Sequence, residues 1–175
     1  MDRMTEVDRS QAGEFAPRTG FPIGCFKRMK ILVIDDEPAN VALLEAILSE
    51  HGFERVRSLT DSRAALEVYV DFEPDLVLLD LMMPQVDGFT ILESIRAERG
   101  DFLLPIIVLT ADANEKTKLR ALAAGASDFL LKPFDQLEAL LRIHNLLTAR
   151  HLQIQLDTQR AALEDALRAR DEVAR

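Results

Sequence analysis

Five polar side chains in this sequence fall where a functional site is expected. Asp35 and Asp36 follow the apolar stretch "KILVI", Asp80 follows "DLVLL", Thr110 follows "PIIVL" and Lys132 follows "SDFLL". The first, second and third of these stretches are almost wholly apolar and show no in–out alternation, which is typical of strands buried on both faces of a parallel sheet. Because ligands collect at the carboxyl ends of parallel strands, three carboxylates, a hydroxyl and an ammonium group are predicted to converge on one small site.

Each residue type suits one part of a phosphoryl-transfer reaction. Clustered carboxylates repel one another unless a cation lies among them, and hard oxygen ligands suit Mg²⁺. A carboxylate can attack phosphorus to give an aspartyl phosphate, and Asp80 is the best candidate because it stands alone on the central strand. A lysine, a hydroxyl and the metal ion can together neutralise the phosphoryl oxygens. Asp35 and Asp36 are adjacent, so both can reach one ion only where the chain bends away from the strand.

Each of these residues taken alone has an ordinary explanation. A single aspartate after a strand is more often a helix cap than a functional residue. Thr110 by itself is an ordinary end to a strand, and Lys132 by itself could be a solvated surface lysine. Their coincidence at one predicted edge favours a functional site.

The elements that must position these side chains alternate along the chain. Five predicted strands are separated by stretches of helical period, and the first helix has Pro38 in its opening turn. The sequences of the predicted strands are "KILVID", "ERVRSL", "DLVLLD", "PIIVLT" and "SDFLLK". This order predicts an α/β fold with a five-stranded parallel sheet between helices.

Four segments of the chain resemble the receiver domain of bacterial two-component response regulators in sequence, order and spacing. They are "ILVIDDEP", "PDLVLLDLMMPQVDGF", "IIVLTA" and "GASDFLLKPF". The resemblance implies a receiver domain over residues 29–147. It also implies a doubly wound, flavodoxin-like sheet with strand order 2-1-3-4-5.

The resemblance implies a role for the acidic residues. Asp80 would accept a phosphoryl group from a histidine kinase or a phosphotransfer protein. Asp35, Asp36 and Asp80 would hold Mg²⁺ together with the backbone carbonyl of Met82. Apart from its own phosphorylation and dephosphorylation, the chain would not act as an enzyme.

Further roles follow from the same resemblance. Lys132 would pair with the phosphoryl oxygens, and Thr110 would bond the new phosphate and move inward. Phe129 falls at the switch aromatic of the family and would rotate inward behind Thr110. The Lys132–Pro133 peptide bond would be cis.

The chain after Pro133 is predicted to be helical to its end. From residue 149 onward, apolar residues recur with the alternating spacing of a coiled-coil seam, which Gln159 and Arg170 weaken. The predicted seam contains Leu152, Leu156, Leu163, Ala166 and Val173. We expect residues 148–175 to form a homodimeric helix that passes the signal to an output domain outside this chain. Similar receivers continue into cyclic-di-GMP phosphodiesterases or diguanylate cyclases, which makes cyclic-di-GMP metabolism the expected output.

The first 28 residues lack any helical or strand period and contain several glycines and prolines. They are predicted to be a mobile leader. The alternative is a short strand or cap that uses Phe21, Ile23 and Phe26.

The overall composition limits the class of protein. A net charge of −9 argues against nucleic-acid binding, because a phosphate backbone calls for a clustered positive face. A single cysteine, Cys25, excludes an internal disulfide framework. No apolar run approaches the roughly 20 residues that span a bilayer. We therefore expect a cytoplasmic protein without a membrane partner.

Two other classes of function are open to the sequence. One is a receiver-like domain that no longer accepts phosphate and serves only as a dimerisation platform. The other is a phosphatase of the haloacid-dehalogenase type, although Asp80 is followed by Leu81 and Met82 rather than by the D-x-D pattern of those enzymes. The histidines are too scattered for a metal cluster, and the shared helix face of His144 and His151 suggests a dimer-interface or solvent-facing role.

Overall fold

The computed structural model of the chain describes residues 26–99 and 103–173. The predicted leader therefore lies outside the described residues except for its last three positions.

Five strands form one parallel sheet in the order β2-β1-β3-β4-β5. The strands are β1 (Lys30–Ile34), β2 (Arg55–Leu59), β3 (Leu76–Asp80), β4 (Ile106–Thr110) and β5 (Asp128–Leu131). The helices are α1 (Pro38–Glu50), α2 (Ala65–Phe72), α3 (Gly88–Arg99), α4 (Glu115–Ala123) and α5 (Gln136–Val173), with a short 3₁₀ turn at Ser62–Ala64 before α2. The predicted fold class, strand order and long final helix are confirmed.

The central strands are apolar at nearly every position because each contributes to two separate cores. In β1, Leu32 and Ile34 pack in one core with residues of α2, α3 and α4. Ile31 and Val33 pack in the other core with residues of α1 and α5. Successive side chains of a strand point to opposite faces, so a strand covered by helices on both sides needs apolar residues at every position.

The parallel register brings the strand ends to one level. Ile34 pairs with Leu79, so Asp35 follows at the level of Asp80. Asp80 pairs with Leu109, which puts Thr110 one residue beyond it. The predicted convergence of strand-end side chains is therefore a direct consequence of this register.

Arg96 of α3 connects the starts of β4 and β5. Its buried guanidinium donates to the carbonyl of Gly125 from Nε at 2.9 Å and from Nη2 at 2.6 Å, and to the carbonyl of Leu104 from Nη1 at 2.8 Å. Gly125 has a φ of +103°, and a Cβ at that position would lie 3.0 Å from the Arg96 side chain. A cation buried in this way is stabilised by its carbonyl partners, and it fixes the segments that lead into both strands.

Phe26 marks a difference from the sequence-based boundary of the leader. Its side chain is buried in the core beneath α1 and α5. The ring meets His144 of α5 edge to face, with the ring centroids 4.9 Å apart. His144 is only 8% exposed, so its side chain packs inside the chain and takes neither the dimer-interface nor the solvent-facing role that the spacing with His151 suggested. The sequence pattern could not reveal this contact, because it joins residues far apart in the chain.

Gly88 begins α3 directly against the end of β3. Its N–H donates to the carbonyl of Leu81 at 3.2 Å. A Cβ at this position would lie 2.1 Å from the carbonyl oxygen of Asp80 and 2.6 Å from the Cα of Leu81. Only glycine allows the helix to start this close to the strand end.

Replacing Gly88 with alanine should therefore destabilise the fold. The new methyl group would push α3 away from β3, and overpacking of this kind costs about 1–3 kcal/mol. Urea denaturation of Gly88→Ala should show a lower free energy of unfolding than the unsubstituted chain. Thr90→Ala, an exposed position on the same helix, is the matched control and should change that free energy by less than about 0.5 kcal/mol. Equal effects for both variants would contradict the packing argument.

The burial of His144 predicts a pH dependence of stability. Burial lowers the pKa of the His144 imidazole below its ordinary value. The unfolded chain therefore binds more protons at this residue than the folded chain does. The contribution of neutral His144 to stability is fully present above about pH 6.5, and it is lost as the pH falls through the pKa of His144 in the folded state. The free energy of unfolding should fall more between pH 8 and pH 5 for the unsubstituted chain than for His144→Phe. A difference between the two proteins that stays constant across this range would contradict the prediction.

Candidate functional site

Polar side chains meet at the carboxyl ends of the central strands. Asp35 is 0%, Asp80 3% and Thr110 1% exposed to solvent. Lys132, directly after β5, is partly buried beside them. Charged groups in such surroundings require partners, because burial without them costs several kcal/mol or more.

Lys132 links the two buried carboxylates. Its Nζ lies 2.7 Å from Oδ2 of Asp35 and 2.8 Å from Oδ2 of Asp80. Burial by itself lowers the pKa of Lys132, but the hydrogen bonds to Asp35 and Asp80 and the charges of both carboxylates outweigh it, so the pKa is raised. The lysine is therefore a fixed cation. The Lys132–Pro133 peptide bond that follows is cis.

The start of α1 holds Asp35 in place. Its Oδ1 accepts a hydrogen bond from the backbone N–H of Glu37 at 3.0 Å. The side-chain amide of Asn40 lies 3.2 Å from both carboxylate oxygens. Asn40 was not among the residues selected from the sequence. Its position in the first turn of the helix that follows the acidic pair was the only signal for it, and that signal is weak.

Asp80 and Thr110 each have a backbone donor two residues further along the chain. Oδ1 of Asp80 accepts the N–H of Met82 at 3.0 Å, while its Oδ2 faces Lys132. Oγ1 of Thr110 accepts the N–H of Asp112 at 3.0 Å. The Thr110 hydroxyl keeps its own hydrogen for donation to another acceptor. Both side chains are thus oriented by the loops that leave β3 and β4.

Asp36 completes a group of three acids. Carboxylate oxygens of Asp35, Asp36 and Asp80 lie within 4.8 Å of one another, and no other such group of three potential ligands occurs among residues 26–99 and 103–173. Burial and then the charge of Asp80 raise the pKa of Asp36. Three hard oxygen donors under mutual repulsion match the requirements of Mg²⁺, so the residues present fit a magnesium ion.

An open cleft lies beside this acidic group. It has a volume of about 650 Å³, and its walls include Asp36, Met82, Pro84, Phe89 and Arg120. The guanidinium carbon of Arg120 lies 3.8 Å from the centroid of the Phe89 ring. Asp36 therefore has access to solvent from one side, whereas Asp35 and Asp80 are enclosed.

Phe129 of β5 is partly buried between two cations. Nζ of Lys118 on α4 lies 4.7 Å from the ring centroid, and the guanidinium carbon of Arg142 on α5 lies 5.8 Å from it. Arg142 also donates to both oxygens of Asp128 at 2.7 Å. The residue predicted as the switch aromatic therefore contacts α4 and α5 at the same time.

The chain matches one protein-family model. The model describes the response regulator receiver domain, and it matches residues 31–144. This range includes all five residues selected from the sequence.

Curated relatives match over the same part of the chain. The DNA-binding dual master transcriptional regulator RpaA of Synechocystis is 38% identical over 118 residues, which are 67% of this chain and 48% of the relative. Response regulator PleD of Caulobacter vibrioides is 38% identical over 117 residues, which are 67% of this chain and 26% of the relative. The match thus spans half or less of these relatives.

Solved structures of response regulators also match this part of the chain. The BeF3-activated N-terminal receiver domain of RstA from Klebsiella pneumoniae has a TM-score of 0.62 and 33% identity, and the match covers 67% of this chain and 97% of that one. NtrX from Brucella abortus has a TM-score of 0.67 and 30% identity, with 75% of this chain and 29% of that one covered.

The repulsion among the three carboxylates leads to a prediction about magnesium. Millimolar Mg²⁺ should raise the thermal midpoint of the unsubstituted chain, because a ligand that binds only the folded state stabilises it. Asp36→Asn should melt higher than the unsubstituted chain without Mg²⁺, by about 2–5 °C, because one repelling charge is removed. The same variant should gain much less from Mg²⁺. Calorimetric scans with and without the ion measure both effects, and an equal gain for the two proteins would contradict the assignment.

Proposed function

The chain belongs to the response regulator receiver family, and on this premise we propose that it accepts a phosphoryl group on Asp80 from a histidine kinase or a phosphotransfer protein. The observation that carries the proposal is the buried lysine bridge. Lys132 holds Asp35 and Asp80 together at 2.7 and 2.8 Å, at the edge of the sheet where two more polar side chains, Asp36 and Thr110, also lie. A lysine in this position can remain paired with negative charge while a phosphoryl group is added.

In the proposed reaction a carboxylate oxygen of Asp80 attacks phosphorus. The new O–P bond forms as the P–N bond of the phosphohistidine breaks, and the electron pair leaves with the imidazole of the donor. The Met82 N–H and the Lys132 ammonium group orient the Asp80 carboxylate before attack. Lys132 and the Thr110 hydroxyl then provide donors for the phosphoryl oxygens.

Asp35, Asp36, Asp80 and the backbone carbonyl of Met82 are the groups that would hold Mg²⁺. When bound, the ion supplies positive charge that offsets the charge of the phosphoryl oxygens. Asp35 is suited to this role because its orientation is already set by Glu37 and Asn40. Preorganisation of this kind reduces the cost of binding the ion.

Thr110 and Phe129 are proposed to transmit the effect of phosphorylation from Asp80 to the surface of the receiver. In the described state Thr110 accepts a hydrogen bond from the N–H of Asp112. Turning the hydroxyl toward a phosphoryl oxygen would alter this bond and draw Thr110 inward. The Phe129 ring would then leave the cations of Lys118 and Arg142 and follow Thr110, which changes the surface shared by α4, β5 and α5.

The long helix α5 is proposed to carry the signal between two copies of the chain. It runs without a break from Gln136 to Val173, well beyond the receiver. Leu156 is 65% and Leu163 62% exposed, and Leu152 and Ala166 of the predicted seam are exposed as well. The Val173 side chain lies outside those that the structure describes. Pairing of two such helices would bury these leucines, each worth about 1.5–3 kcal/mol when fully removed from water.

The output of this receiver is proposed to lie outside the chain. The helical seam supports an output domain that responds to the rotation or register of two paired helices, with cyclic-di-GMP metabolism as the first candidate. The chain itself would catalyse only its own phosphorylation and dephosphorylation. None of the helices in the described part of the chain is long and apolar enough to cross a membrane. We propose a cytoplasmic location, with neither nucleic acid nor membrane as a partner of this chain.

Incubation with acetyl phosphate and Mg²⁺ tests the proposed acceptor. The unsubstituted chain should gain the mass of one phosphoryl group, as measured by intact mass spectrometry. Asp80→Asn should gain none, because the amide cannot act as the nucleophile. Asp71→Asn, which removes an exposed acid on α2, is the matched control and should gain as much as the unsubstituted chain.

The Mg²⁺ dependence of this reaction separates the alternatives. Omission of the ion should abolish the mass gain. Addition of phosphate to Asp80→Asn would contradict the assignment of the acceptor, and sustained turnover of a phosphomonoester would favour a phosphatase instead.

Size-exclusion chromatography with light scattering tests the proposed helix pair. The full chain should have the mass of a dimer, and a chain ending at Leu147 should be a monomer. Leu156→Glu should also be monomeric, because a charge would enter the seam. Ile154→Glu places the same charge on the opposite face of the helix and should remain dimeric. The same oligomeric state for all four proteins would overturn the proposal.

A further inference from the structure

Arg120 of α4 lines the open cleft beside the acidic group. Among the described residues that line this cleft, it is the only cation. Its guanidinium carbon lies 3.8 Å from the centroid of the Phe89 ring, and its guanidinium has no ion pair or hydrogen bond to any residue in the ranges 26–99 and 103–173. An arginine stacked on an aromatic face keeps its charge and its N–H donors. Arg120 is therefore available to bind an anion in the cleft.

The ring under Arg120 is fixed close to Asp80. Gly88 packs so tightly at the end of β3 that a Cβ there would lie 2.1 Å from the carbonyl oxygen of Asp80. Phe89 is the next residue of α3 and is only 6% exposed. Because consecutive Cα atoms are about 3.8 Å apart, the ring cannot move far from the backbone of Asp80. The cation that rests on this ring is thus held near the acidic group.

The walls of the cleft combine charges of both signs with apolar surface. Asp36 belongs to the acidic group, whereas Arg120 comes from α4. Met82, Pro84 and Phe89 add apolar side chains. A small molecule with an anionic end and a short hydrocarbon part would complement this set of groups.

The geometry of phosphoryl transfer indicates which molecule meets these groups. The attacking oxygen and the leaving group lie roughly in line on opposite sides of phosphorus. Asp80 is only 3% exposed, so a leaving group opposite to it must point outward. The cleft is the side from which solvent reaches Asp36. The leaving group of a donor therefore enters the surroundings of Arg120.

We propose that Arg120 contacts the leaving group of the phosphoryl donor and thereby favours acyl phosphates, whose leaving group departs as a carboxylate. This inference rests on the proposed phosphorylation of Asp80 and adds a residue that discriminates between donors. A guanidinium presents two parallel N–H groups that match the two oxygens of a carboxylate. The side chains of Met82 and Pro84 would contact the hydrocarbon part of the acyl group.

Charge develops differently in two kinds of small donor. With an acyl phosphate, an oxygen of Asp80 forms the new O–P bond as the bond between phosphorus and the acyl oxygen breaks, and the electron pair leaves on that oxygen as a carboxylate. With phosphoramidate, the P–N bond breaks and the electron pair leaves on a nitrogen that is already protonated, so ammonia departs without charge. Because Arg120 stabilises only the first leaving group, it should accelerate only the first reaction.

Acetyl phosphate and phosphoramidate are the probes, each incubated with the full chain and Mg²⁺ at the same pH and ionic strength. The rate of mass gain, followed by intact mass spectrometry, is the measurement. Arg120→Gln should react with acetyl phosphate about three- to ten-fold more slowly, which corresponds to the loss of one hydrogen bond. Its rate with phosphoramidate should be unchanged, which also shows that the variant is folded. Arg120→Lys keeps the charge without the paired donors and should react with acetyl phosphate at an intermediate rate.

Lys116→Gln is the matched control. It removes the same charge from the same helix, but Lys116 does not line the cleft, so the ratio of the two rates should equal that of the unsubstituted chain. An equally reduced ratio in Lys116→Gln would assign the effect to long-range charge and overturn the contact.

The two donors also separate this inference from the function on which it rests. An unchanged ratio in Arg120→Gln would overturn the role of Arg120 and leave phosphorylation of Asp80 in place. No mass gain from either donor in the unsubstituted chain would overturn the proposed function and this inference with it.

Discussion

The ammonium group of Lys132 is the counter-charge on which the site depends. Two carboxylates buried at the edge of an apolar sheet would repel each other and would lack solvation. The lysine contacts both at hydrogen-bond distance and offsets much of that cost. Its position is set by the sheet, because the Lys132 N–H donates to the carbonyl of Thr110 at 2.8 Å. The hydrogen bonds between β4 and β5 thus fix a side chain whose ammonium group pairs with the carboxylates at the ends of β1 and β3.

The two cores of the fold hold the strand ends, and with them the side chains of the site, in fixed positions. The central strands are apolar at nearly every position and are covered by helices on both faces. A slip of one residue would move every side chain to the other core, where its packing partners differ. Arg96 fixes the segments that lead into β4 and β5, and Gly88 allows α3 to start against the end of β3. A rigid sheet with charged loops at one edge can change at that edge while the rest stays in place.

Phe129 connects the same edge of the sheet to α4 and α5. Phe129 lies between a lysine of α4 and an arginine of α5, so a movement of this ring alters both helices. Because α5 continues far beyond the receiver, a small rotation at its base becomes a displacement at its end.

The sequence by itself determined the sheet, its covered faces, the long last helix and the five polar residues at the strand ends, because these depend on local apolar patterns and on motif spacing. The strand order came from the resemblance to a family. Only the tertiary structure decided which side chains complete the environment. Asn40 supports Asp35 through a helix turn, Arg96 reaches the carbonyls of Gly125 and Leu104, and Phe26 covers His144. A periodic pattern shows which face of an element is apolar, but it does not show which distant residue packs on that face or where a cavity remains.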